Sequence, residues 1–192
     1  MIVLILGLIV FLGVHSVRIV AEERRQAMMA RVGEGPWKAI YSLASLVGLV
    51  LIVWGYGLSR LDPVVLWEPP VWTRHIAILL NLVAFILFAV FLLPAGRLKA
   101  RLGHPMILAV KVWAIAHLIA NGTLADLVLF GSFLGWAVFD FRASRMRDKA
   151  TGVVPIAGVL RNDILAVALG AVVWAAFLWR VHAWLIGVSP LA

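Results

Sequence analysis

Long apolar runs separated by short polar segments are the main pattern along this chain. Each run approaches the ~20 residues that a helix needs to cross ~30 Å of hydrocarbon. The pattern predicts an all-α, polytopic integral membrane bundle of six transmembrane helices, forming a single domain over residues 1–192. The predicted spans cover about residues 2–20, 37–58, 74–94, 105–121, 124–141 and 163–188.

The polar segments between the runs predict turns and loops. Asn121 and Gly122 separate the fourth and fifth runs, and Asn-Gly is a strong turn signal, so these spans are expected to form a tight helical hairpin. Residues 61–73 and 144–160 are expected to be loops, the second being the most soluble segment of the chain.

The basic residues predict the orientation in the membrane. Of the 17 Lys and Arg residues, 14 lie in segments 18–38, 97–111 and 142–161, which follow the first, third and fifth spans. Because cytoplasmic loops carry the excess of Lys and Arg, these segments are predicted to lie inside and both termini outside. In a Gram-negative cell, this predicts a multi-pass inner-membrane protein with periplasmic termini.

Composition supports a membrane protein and removes several chemistries. Hydrophobic residues make up 64% of the chain, charged residues only 14%, and mean hydropathy is +1.06, which excludes an ordinary soluble domain. The formal net charge of +8 arises between apolar runs, where basic residues contact lipid headgroups, so the bilayer is the predicted partner and nucleic acid is not. With no Cys, disulfides, thiolate catalysis and iron–sulfur clusters are excluded.

Histidines inside the apolar runs are the candidate functional residues, because such side chains are costly in hydrocarbon. His15 lies near the end of the first run and His117 in the outer half of the fourth. Two neutral imidazoles from different helices meet the requirement of six-coordinate haem b, although spacing alone makes this a weak signal. His104 matches the depth of His15 better than His117 does, and is kept as a reserve ligand. Lys111 has two open interpretations, a functional cation or a side chain that snorkels to the inner surface.

Several motifs of the chain resemble the signature of the NnrU family of bacterial membrane proteins. The match covers nearly the whole chain, and the family is associated with nitric oxide and nitrite reduction in denitrifiers. The matching stretches are Val14-His15-Ser16, Trp67 to Trp72, Gly103-His104-Pro105-Met106, Lys111 to Gly122 and Phe130-Gly131-Ser132-Phe133.

The family is related to the plastid zeta-carotene isomerase, a haem b membrane enzyme. The resemblance implies that His15 and His117 match its two haem-ligand histidines, and that His104-Pro105 matches its His-Pro pair. A cysteine that serves there as an alternative iron ligand falls on Ala114, which cannot bind iron. This departure puts isomerase activity in doubt and leaves haem binding open.

The leading functional hypothesis is therefore a haem b-binding inner-membrane protein that contributes to nitrogen-oxide or related membrane redox metabolism. Its partners would be a membrane redox protein or a lipophilic small molecule. One alternative is a double-bond isomerase acting on a membrane-dissolved isoprenoid or carotenoid. Another is a small transporter with Lys111 and His117 along its pathway, and an assembly role also stays open. Whether the protein is an enzyme, and its oligomeric state, are not predicted.

Overall fold

The computed structural model describes residues 1–154 and 157–191, and in these residues it is all-helical, with no β-strand. The helices are α1 (Ile2–Val20), α2 (Glu22–Val32), α3 (Glu34–Ser59), α4 (Val71–Leu92), α5 (Arg97–Leu102), α6 (Pro105–Ala120), α7 (Leu124–Thr151), α8 (Leu160–Ala176) and α9 (His182–Ile186). A π-helical turn, Phe177–Val181, joins α8 to α9 without a break.

Five helical stretches within the described residues are long and apolar enough to cross a membrane. They are α1, α3, α4, α7 and the continuous stretch Leu160–Ile186. Many large apolar side chains on them are exposed, which is expected where the neighbouring solvent is lipid. The all-helical membrane character is thus confirmed. The apolar α6 has only 16 residues, so a sixth span and the orientation of the termini stay predictions.

Three polar helical segments were missing from the sequence prediction. The predicted loop 144–160 is wrong in its first part, because α7 continues to Thr151 before the chain turns at Gly152, whose φ is +63°. Residues 142–151 contain good helix formers and no Gly or Pro, so nothing in that segment stops the helix. For the same reason α2 and α5 form in the other two basic segments. The break at residues 121–123 lies where it was predicted.

The chain divides into two compact units. The first comprises Met1–Trp67 and Gly122–Ala143. In it, α1 and α3 run antiparallel at close range, and glycines form their contact. Gly48 abuts the backbone of Phe11, and Gly7 abuts that of Ile52. Small residues permit this approach between apolar helices.

The second unit comprises Glu68–Asn121 and the residues from Ser144 onwards. Here Gly170 of α8 lies against the backbone of Ile86 in α4. The Trp174 indole Nε1 donates a hydrogen bond of 3.1 Å to the Ile78 carbonyl. Asp163, near the start of α8, accepts hydrogen bonds from the first backbone amides of α5. Polar contacts thus link α8 to α4 through Trp174 and to α5 through Asp163. The prediction of a single domain stays a prediction.

Candidate functional site

His15 is held in one orientation by its own helix. Its Nδ1 lies 2.7 Å from the Phe11 carbonyl oxygen, one turn earlier in α1. A carbonyl oxygen can only accept, so Nδ1 carries the proton and donates it to this bond. In the neutral ring the lone pair then lies on Nε2. This tautomer is the one that presents Nε2 to a metal, with the other ring nitrogen tied to a carbonyl group.

Aromatic side chains from three helices surround His15 within the first unit. The imidazole stacks on Phe11 with ring centroids 4.3 Å apart. Tyr41 of α3 lies at 5.2 Å, and Trp136 of α7 meets the imidazole edge-on at 6.0 Å. His15 itself is half-buried. The ring therefore sits in a largely apolar setting that restricts both water and rotation.

The indole Nε1 of Trp136, whose ring meets that of His15, is buried without a hydrogen-bond partner in the described part of the chain. Ser45 Oγ of α3 is buried as well, and Ser45 interacts with Tyr41 through its side chain. Buried donors without partners are rare, so the Trp136 indole calls for an explanation, such as a ligand that brings an acceptor.

His117 repeats the arrangement of His15 in the second unit. Its Nδ1 lies 2.8 Å from the carbonyl oxygen of Trp113, again one turn earlier in the same helix. The Trp113 indole packs against the imidazole, with centroids 5.1 Å apart. His117 is half-buried near the end of α6, and its carbonyl oxygen accepts a hydrogen bond of 2.8 Å from Asn121 Nδ2. By the same argument as for His15, Nδ1 carries the proton and Nε2 the lone pair.

His104 is engaged differently. Its Nε2 lies 2.8 Å from Asp148 Oδ2, and a carboxylate only accepts, so Nε2 carries the proton. His104 is thus committed to an ion-pair-type contact that joins the start of α6 to the last part of α7. Asp148 was not among the candidate residues predicted from the sequence. It could have been recognised there as the single acidic residue in the basic stretch from Arg142 to Lys149.

Two other residues singled out in the sequence, Lys111 and Ala114, lie on α6. Lys111 is half-buried on α6. Ala114, at the position where a related enzyme has cysteine, is fully buried and offers only a methyl group. No cluster of three or more His, Asp or Glu side chains with metal-binding geometry occurs among residues 1–154 and 157–191. A metal ion bound directly by protein side chains needs such a cluster. The iron of a haem is already bound by four porphyrin nitrogens, so the protein has to supply only one or two ligands.

Comparison with known proteins supports the motif resemblance. Neither the curated proteins nor the solved structures contain a significant match to this chain. The family model described as NnrU protein matches residues 3–190, which is nearly the entire sequence. That range includes each of the three histidines discussed above. The chain therefore belongs to the NnrU protein family.

Proposed function

We propose that this membrane protein binds haem b, with His15 Nε2 in the first unit and His117 Nε2 in the second as the candidate iron ligands, and that it acts in nitrogen-oxide or related redox metabolism of the bacterial inner membrane. A bound haem would supply one-electron exchange between ferric and ferrous iron, and ligation by two imidazoles favours electron transfer over substrate binding at the iron.

The observation that carries this proposal is the shared tautomer of the two rings. In both, Nδ1–H donates to the carbonyl four residues earlier, at 2.7 Å for His15 and 2.8 Å for His117. Such a bond orients the ring and raises the basicity of Nε2, as it does for metal-bound histidines in general. His104 has the opposite tautomer and an occupied Nε2, so it is left out of the proposed ligand set.

The surroundings of His15 are largely aromatic. Phe11, Tyr41 and Trp136 pack around the imidazole and would keep an iron–imidazole bond in a medium of low dielectric constant. The buried donor Trp136 Nε1 would gain a partner if the ligand brought an acceptor oxygen. Such a partner would remove the free-energy cost of burying this donor unpaired, which is ~1–3 kcal/mol.

The absorbance spectrum of protein purified in detergent from haem-replete cells tests the proposal. We expect a Soret band and, after reduction by dithionite, the narrow α-band of low-spin, bis-histidine haem. His15→Ala and His117→Ala should each lose the haem or convert it to a high-spin form, because one candidate iron ligand is missing.

Two other histidines supply the controls. His75 is exposed at the start of α4, and His104 is bonded to Asp148, so His75→Ala and His104→Ala should keep the wild-type spectrum. A colourless wild-type protein, or a low-spin spectrum that survives in both His15→Ala and His117→Ala, would refute haem ligation by these residues.

The physiological part of the proposal needs a separate test in cells. In a denitrifying host that lacks the gene, wild-type protein should restore nitrite- or nitric oxide-dependent growth, and His15→Ala should not, at equal protein levels in the membrane fraction. Equal restoration of growth by the wild-type protein and by His15→Ala would show that the cellular role does not depend on haem binding at His15. The isomerase and transporter alternatives have no specific support in the described residues, and the fully buried Ala114 offers no second iron ligand.

A further inference from the structure

A second site lies in the second unit, where α5, the start of α6 and the last two turns of α7 surround an open pocket of about 850 Å³. All of its lining residues except Ala95 belong to the segments 97–111 and 142–161, which the distribution of Lys and Arg predicts to lie on the inner side of the membrane. The pocket contains neither His15 nor His117. It therefore needs an explanation independent of haem.

The charge of the lining is mostly positive. Lys99, Arg145 and Lys149 line the pocket, against a single carboxylate, that of Asp148. One oxygen of this carboxylate already accepts a hydrogen bond of 2.8 Å from His104 Nε2. The acidic group is thus paired within the wall, and the three cations set the sign of the potential in the pocket.

The three cations differ in how firmly they are placed. Lys99 Nζ donates to the carbonyl oxygens of Phe91 and Leu93, at 2.7 and 2.9 Å, so two of its three protons are used and its position is fixed. Arg145 and Lys149 are exposed, and neither forms an ion pair within the described residues. Lys99 is therefore held in place by the backbone, whereas the side chains of Arg145 and Lys149 are available to bind a ligand.

Glycine at position 103 keeps the wall beside Arg145 open. Its φ is +74°, a conformation that L side chains rarely adopt, and it allows the sharp turn between α5 and α6. A Cβ atom at this position would lie 3.2 Å from an Arg145 guanidinium nitrogen. The absence of a side chain at Gly103 thus leaves space for the Arg145 guanidinium beside the pocket.

The rest of the lining is apolar and includes Ala95, Ala100 and Met146. A wall that combines several cations with small apolar groups suits a phosphate group attached to an organic moiety. Basic pockets near the cytoplasmic face of membrane proteins bind phosphate-bearing headgroups through the same combination. Arg adds bidentate geometry that matches phosphate oxygens.

We propose that this pocket binds a phosphate group through Lys99, Arg145 and Lys149, with the His104–Asp148 pair forming its polar floor. The phosphate belongs either to an anionic lipid headgroup or to a soluble phosphate. The two sources share the same contacts and are separated by experiment.

Reconstituted full-length protein tests the proposal, with phosphatidylglycerol in phosphatidylcholine nanodiscs as one probe and inorganic phosphate as the other. Lipid retained by the protein is counted by native mass spectrometry, and the thermal midpoint is followed against each probe. Retention of phosphatidylglycerol with a raised midpoint identifies a lipid site. A midpoint raised by millimolar phosphate in pure phosphatidylcholine identifies a soluble ligand.

The double variant Arg145→Gln/Lys149→Gln should bind the active probe on the order of 30-fold more weakly, since each cation near a membrane surface contributes about fivefold in affinity. The matched control is Arg24→Gln/Arg142→Gln, which removes the same charge from exposed positions outside the pocket. Equal weakening in both double variants, or none in the first, overturns the proposal, as does a response to neither probe. His15→Ala should bind the probe normally, so the outcome is independent of haem.

Discussion

The Tyr56 hydroxyl donates a hydrogen bond of 2.6 Å to Asp126 Oδ1, joining the last turn of α3 to the first turn of α7 within the first unit. The other carboxylate oxygen accepts from the backbone amide and the hydroxyl of Thr123, at 3.1 and 2.6 Å. Asp126 is only 4% exposed. Three donors thus make a buried carboxylate tolerable in an apolar protein, since an unpaired one would be expelled or neutralised.

Tyr56→Phe removes one of these donors without changing the volume of the ring. We expect the variant to lose ~1.5–3 kcal/mol of stability, because a hydrogen bond to a buried charged group is lost. Thermal or denaturant unfolding in detergent measures the change. In an Asp126→Ala background the same substitution should cost much less, and an equal cost in both backgrounds would assign the effect to something other than this bond.

The close contact of α1 and α3 predicts opposite effects for different glycines. A Cβ at Gly48 would lie 2.7 Å from the Phe11 backbone nitrogen, and one at Gly7 would lie 2.6 Å from that of Ile52. Gly48→Ala and Gly7→Ala should therefore each destabilise the protein by ~1–3 kcal/mol through overpacking. Gly13 and Gly57, in the same two helices, have nothing within 4 Å of a built Cβ.

These two glycines are the matched controls for the packing prediction. Gly13→Ala and Gly57→Ala should be neutral or stabilising by up to ~1 kcal/mol, because Ala favours the helix more than Gly does. Thermal midpoints of the four variants, measured in one detergent, make the comparison. If all four variants shift alike, helix propensity and not close packing determines the result.

Asp163 acts as a cap for a helix that is distant in sequence. Its carboxylate accepts hydrogen bonds from the backbone amides of Arg97 and Leu98, at 2.9 and 3.0 Å, and Asp163 is buried. Asp163→Ala should destabilise the protein by ~1–3 kcal/mol, because both amides lose their acceptor. Hydrogen exchange at Arg97 and Leu98 should accelerate. Asp62→Ala, at an exposed position, should change neither quantity.

The ion pair at the start of α2, a helix that is not among the candidate membrane spans, predicts that the stability of the fold depends on pH. Arg25 donates two hydrogen bonds, of 2.7 and 2.8 Å, to the Glu22 carboxylate, and these bonds lower the pKa of Glu22 to about 2. A folded-state pKa below the ordinary value of 4.5 stabilises the fold at higher pH. This contribution, up to ~1 kcal/mol for a pair near the surface, is complete above about pH 4.5 and is lost as the pH falls towards 2.

Glu22→Gln should remove this part of the pH dependence, while Glu23→Gln, at the exposed neighbouring position, should retain it. Thermal midpoints between pH 5.5 and 3 measure the difference between the two variants. Parallel pH profiles for both would show that the Glu22–Arg25 pair does not contribute.

The histidine tautomers predict a spectroscopic pattern in haem-free protein. In ¹⁵N spectra of histidine-labelled samples, His15 and His117 should show a protonated Nδ1, because each donates to a carbonyl oxygen. His104 should show a protonated Nε2, because it faces a carboxylate. Assignment by single alanine variants checks each signal. A protonated Nε2 on His15 or His117 would remove the argument that this atom is ready to bind iron.

The long apolar helices could be predicted closely because lipid selects for continuous hydrophobicity over a fixed length. The first span, 2–20, coincides with α1. The helices α2 and α5 and the extension of α7 to Thr151 lack an apolar run, so the pattern that identifies spans does not register them. They form because their residues favour helix and nothing interrupts them.

The sequence by itself determined the membrane character, the candidate histidines and the NnrU motifs, because hydrophobicity and residue type are properties of the chain. Only the tertiary structure decided the partners of those residues: Asp148 for His104, Tyr41 and Trp136 around His15, and Tyr56 for Asp126. The physical reason is that a proton's position on imidazole, or the tolerance of a buried carboxylate, depends on atoms a few ångströms away. Such neighbours come from helices that are distant in sequence, and packing alone brings them together.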